Sequence, residues 1–118
     1  MMVANVLIAL IAALHLYILV LEMFLWTTPH GQRAFGLSTE FAHQTKALAA
    51  NQGLYNGILA AGLVVGLTMG PAGMGFKLFF LSCIVIAGVF GAATAGRKIL
   101  FIQGVPAALA LAALLAGV

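Results

Sequence analysis

The chain has 118 residues, of which 64% are hydrophobic and 6% charged, against roughly 45–50% and about 25% in soluble proteins. Five basic and two acidic side chains cannot cover a water-soluble domain of this length, and a mean hydropathy of +1.21 makes lipid part of the solvent. These values exclude a soluble enzyme and a disordered tail, the single Cys excludes a disulfide framework within one chain, and a scattered net charge of +3 makes no patch for nucleic acid.

Only helices and closed barrels satisfy their own backbones inside a bilayer. The alternating segments of a barrel are missing, whereas four apolar runs approach the ~20 residues that a spanning helix needs. They cover about 3–26, 46–68, 76–95 and 99–118. The expectation is an all-α integral membrane four-helix bundle, one domain over residues 1–118.

The first run has no basic residue before it and no small-residue cleavage site, so it reads as a retained helix rather than a signal peptide. It carries Glu22, the one acidic residue inside a span, with His15 two turns earlier on nearly the same face and Trp26 four residues later. Pro29 is expected to end the helix, because the residue before a proline is pushed out of helical geometry. In the connection 27–45, Ser38 is a good N-cap for a helix starting at Thr39, with Glu40 in its first turn. Phe35, Leu37 and Phe41 would lie at the headgroup boundary, and His30 and His43 are expected to be solvated.

The second run offers Asn51, Gln52, Tyr55 and Asn56 on one broad stripe. It also carries Gly53-xxx-Gly57-xxx-Ala61 and Gly62-xxx-Gly66-xxx-Gly70, spacings that let helix backbones approach closely in lipid. Gly70-Pro71-Ala72-Gly73 predicts a tight turn. The third run repeats the small-residue device with Ala87-Gly91-Ala95 and Gly88-Ala92-Gly96. Such stripes serve either packing within one chain or the seam of a homodimer, and the spacing does not choose. Gly96 is expected to cap the third helix, where Thr94 and Arg97 close the span. In the fourth run Gln103 precedes Pro106, which cannot donate to the carbonyl of Ile102, so a bend or widened turn is predicted between Ile102 and Pro106.

Arg33, Lys46, Arg97 and Lys98 border the first and third connections, and Lys77 alone borders the second. Positive charge favours the cytoplasmic side, which places 27–45 and 95–98 in the cytoplasm and both termini outside. In that orientation Glu22, Asn51, Gln52, Tyr55, Asn56, Arg97 and Gln103 share the cytoplasmic half, with Arg97 as a counter-charge for Glu22. Hydrogen bonds between membrane helices average only ~0.6 kcal/mol, so this many polar groups exceed what adhesion needs. The functional reading is a binding or transport site for a small polar, cationic or amphipathic molecule, open to the cytoplasm, with His15 as a further candidate. The bland reading is a network that fixes the bundle. An intramembrane enzyme acting on a lipid-like substrate, with Glu22 or His15 as acid or base, and a structural or accessory subunit are the alternatives. No metal-binding spacing or cofactor fingerprint occurs, so no metal or cofactor is expected.

Glu22-Met23-Phe24-Leu25-Trp26, Gly36-Leu37-Ser38, the block from Ala49 to Gly57 with its Asn51-Gln52-Gly53-Leu54-Tyr55-Asn56, and Gln103-Gly104-Val105-Pro106-Ala107 together resemble the domain of unknown function 1304 family. The likeness covers nearly the whole chain. It implies a small four-helix bacterial inner-membrane protein, and it implies no activity.

Overall fold

The computed structural model describes residues 1–118. Helices follow one another without a strand: α1 (Met2–Met23), α2 (Pro29–Phe35), α3 (Thr39–Gln44), α4 (Lys46–Thr68), α5 (Met74–Thr94), α6 (Arg97–Ile99) and α7 (Val105–Ala116). Four helical stretches are long and apolar enough to cross a membrane: Met2–Met23, Lys46–Thr68, Gly70–Thr94 and Arg97–Ala116.

The ends follow local chemistry. The first helix stops at Met23, earlier than the proline rule suggests, because Pro29 opens a helix instead of merely ending one. Thr28 is the N-cap of α2 and accepts a hydrogen bond from the Gly31 amide at 3.2 Å, with Pro29 in the first turn. Ser38 caps α3 in the same way, accepting from the Phe41 amide at 3.1 Å. A short 3₁₀ turn at Gly70–Gly73 joins α4 to α5, and Gly70 adopts φ +60°, where a side chain would be strained. Ala95 is the C-cap of α5 and Gly96 follows it with positive φ, and the amides of both bond the Gly91 carbonyl. Between α6 and α7 lies a π-helical turn, Leu100–Gly104. This is the widened turn expected at Pro106. It begins two residues earlier than anticipated, and the Val105 amide reaches the Leu100 carbonyl directly before the proline.

The chain divides into two compact units, residues 1–13 with 59–118, and residues 14–58. In the first unit every span contributes to an apolar core: Ile8 and Ile11 from α1, Leu63 from α4, Leu81 and Ile84 from α5, Ala110 and Leu114 from α7. Glycines set how closely the backbones approach there. Gly66 meets Phe76 and Lys77, Gly73 meets the Gly66 carbonyl, and a Cβ on Gly88 would fall 2.6 Å from the Gly104 Cα. Lys77 is buried in this core, and its ammonium donates to Asn5 Oδ1 at 2.9 Å.

The second unit holds the end of α1, the beginning of α4 and the α2–α3 connection. The connection is folded back by side-chain bonds. The Trp26 indole donates to Thr45 Oγ1 at 3.0 Å, and the Thr39 hydroxyl donates to Gln32 Oε1 at 3.1 Å. The hydroxyl of Tyr17 and Nε2 of His30 lie 2.9 Å apart. Gly31 is buried against the Leu25 carbonyl, a place no larger residue could take.

Candidate functional site

The second unit is built around a carboxyl group. Residue 22 falls on the last turn of α1, on its buried side, and Glu22 keeps 8% of its surface exposed. Facing it, α4 presents Gly53 and Gly57 one turn apart. A Cβ on Gly53 would lie 3.1 Å from the Glu22 Cβ and 2.6 Å from the Met23 Cγ, and one on Gly57 would lie 2.6 Å from the Leu19 Cδ1. The two glycines thus bring the α4 backbone against α1 at the level of the acid. Asn56, between them in sequence and 4% exposed, uses this approach. Its amide donates to Glu22 Oε1 at 2.6 Å and, at 3.2 Å, to the backbone carbonyl of Gln52 one turn earlier. The second bond restrains the amide in the orientation that serves Glu22.

Oε2 takes no part in that bond. The arrangement is a desolvated carboxyl with one oxygen held by Asn56. Chemically it can accept a hydrogen bond from a ligand, neutralise a cation or exchange a proton.

The other candidates take different positions. His15 is fully buried with its hydrogen-bonding needs met. Asn51, Gln52 and Tyr55 are exposed on α4, and the Asn51 amide donates to the Tyr55 hydroxyl at 3.3 Å. Asn51 and Tyr55 therefore form a surface pair, and Gln52 serves the acid through its backbone carbonyl. Arg97, exposed, and Gln103, half-buried with a partner of its own, belong to the first unit. His30 is exposed as expected, yet it is engaged by Tyr17 rather than simply solvated.

Two features escape a sequence reading. The Lys77–Asn5 bond joins residues 72 positions apart, and nothing in either local pattern marks the partner. The tethering of α2 to α1 by Tyr17 and His30 has a weak signal, the Thr-Pro start of a helix immediately after a span.

The sequence profile of the family described as "Protein of unknown function (DUF1304)" matches residues 9–115. The uncharacterised protein YpaA of Lactococcus lactis subsp. lactis (strain IL1403) is 30% identical over 114 residues, covering 94% of this chain and 96% of that protein. No solved structure matches.

Proposed function

Since the chain belongs to the DUF1304 family, which is described only as of unknown function, its activity is to be read from its own residues, and we propose a binding or transport protein for a small cationic or amphipathic polar molecule. The observation that carries this reading is Glu22. It is the one acidic side chain inside a membrane-capable helix, it is buried, and Asn56 holds one of its oxygens. A carboxyl taken out of water is costly unless it is paired, and ionisable groups inside membrane-capable helices persist mainly where they serve an ion, a proton or a ligand. Adhesion between α1 and α4 needs no ionisable group, because Gln in place of Glu would also bond Asn56.

In this proposal Glu22 supplies the charge or takes the proton, and Asn56 positions it. The protein sits in the cell's inner membrane with 27–45 on the cytoplasmic side. The test is binding of the amphipathic cation tetraphenylphosphonium to purified protein, by equilibrium dialysis in detergent. Binding is expected for the native chain, with at least a tenfold loss in Glu22→Gln while the thermal unfolding curve is retained. Equal affinity in the two proteins, or no binding by the native chain, would leave Glu22 as a packing residue and favour the structural-subunit reading.

A further inference from the structure

We propose that the α2–α3 connection is a docking surface for anionic phospholipid headgroups, held through Arg33 and Lys46. Its placement follows from connectivity. α1 ends at Met23 and α4 begins at Lys46, and both are long and apolar enough to cross a membrane. Residues 24–45 therefore lie at one bilayer boundary, whichever way the chain is oriented.

The connection does not trail into water. Tyr17 lies six residues before the end of α1, about 9 Å along its axis at 1.5 Å per residue. Its hydroxyl bonds His30, at the start of α2. Trp26 binds Thr45 through its indole nitrogen and packs on Phe35 with ring centroids 4.9 Å apart. The first contact ties α2 to α1, and those of Trp26 pin the ends of α2 and α3 to the segment that leaves α1. They leave Phe24, Phe35 and Phe41 exposed, and aromatic side chains on short interfacial helices lie at the headgroup–acyl boundary.

The basic residues of this surface outnumber its one acid. Arg33 and Lys46 are exposed. The one acid of the connection, Glu40, sits on α3 with the Gln44 amide 3.5 Å from its Oε1. A guanidinium presents a planar fork that matches the oxygens of a phosphate, and a lysine adds a point charge. Basic residues beside a span are attracted to anionic lipid. The partner is thus an anionic glycerophospholipid rather than a zwitterionic one.

Trp26 is the only tryptophan of the chain and lies inside this region, so its fluorescence reports which lipids surround it. The full-length protein is reconstituted in phosphatidylcholine bilayers that contain brominated phosphatidylglycerol or, separately, brominated phosphatidylcholine, and quenching is measured. The anionic lipid is expected to bind near Trp26 about fivefold more strongly. That preference should fall towards unity in the Arg33→Gln/Lys46→Gln double variant and, for the native chain, in about 0.5 M salt. Both substitutions are at exposed positions, and the emission maximum of Trp26 checks that the fold is kept. If the double variant does not fold, the salt titration of the native protein decides. Equal quenching by both lipids, or a preference that neither salt nor the double variant reduces, would overturn the proposal. This outcome is independent of tetraphenylphosphonium binding at Glu22.

Discussion

Two buried polar residues, Glu22 and Lys77, set the energetics at the scale of single side chains, and each depends on one asparagine. Asn56 donates to Glu22, and Asn5 accepts from Lys77. Removing the partner of a buried polar group costs more than the bond itself contributes, because the group remains desolvated. Asn5→Leu is therefore expected to destabilise the protein by about 1–3 kcal/mol. Adding Lys77→Met should recover most of that loss, since an apolar residue of similar length removes the stranded ammonium. Unfolding in mixed detergent micelles measures both; a double variant no more stable than Asn5→Leu alone would contradict the pairing. For the acid, a double-mutant cycle between Glu22→Ala and Asn56→Ala, each of which removes the bond, should return a coupling of about 1 kcal/mol, within the range of interhelical bonds in membrane proteins. A coupling near zero would show that the 2.6 Å contact contributes nothing to stability. His15 and Glu22 stand out in the sequence because ionisable groups are rare in apolar runs, but their partners do not. Asn51, Gln52 and Asn56 are chemically interchangeable as amide donors, and only the rotation of α4 against α1 selects Asn56.

At the scale of helices, glycine spacing places one backbone against another. Gly88 and Gly104 bring α5 and the π-turn into backbone contact, with no room for a methyl group between them. Gly88→Ala must move one of these backbones, and the expected loss is about 1–3 kcal/mol. Ala87→Leu, at an adjacent exposed position, should stay within about 0.5 kcal/mol. Comparable losses for both would mean that Ala87 also faces protein, as it would in a homodimer seam. In the second unit the same logic applies to Gly57, where Leu19 already fills the space of a side chain. Gly57→Leu is expected to part α4 from α1 and, through the lost Asn56–Glu22 bond, to abolish any cation binding that Glu22→Gln abolishes. Dialysis with tetraphenylphosphonium compares the two variants directly. The small-residue stripes were legible as packing devices from their four-residue spacing. Which helix each one faces was not, because each membrane-capable helix is apolar over most of its surface.

For the whole molecule, the basic residues bear on orientation. Four of them border the first and third connections and one borders the second, so a reporter fused after Val118 is expected to signal from the non-cytoplasmic side. Activity of a cytoplasm-specific reporter there would invert the orientation. The sequence by itself determined the number of spans, their approximate limits, the caps at Ser38 and the turn at Gly70–Gly73, and the widened turn before Pro106. These depend on composition over a window of ~20 residues or on chemistry between near neighbours. The tertiary structure alone decided that Glu22 meets Asn56, 34 residues away, that Lys77 meets Asn5, that Tyr17 ties α2 to α1 and that Trp26 closes the connection on Thr45. The reason is the solvent. In water a polar outer face would mark which side of each helix is buried, whereas in lipid the inner and outer faces are equally apolar. Hydropathy then carries no record of rotation or partner, and close approach at glycines supplies what the pattern cannot.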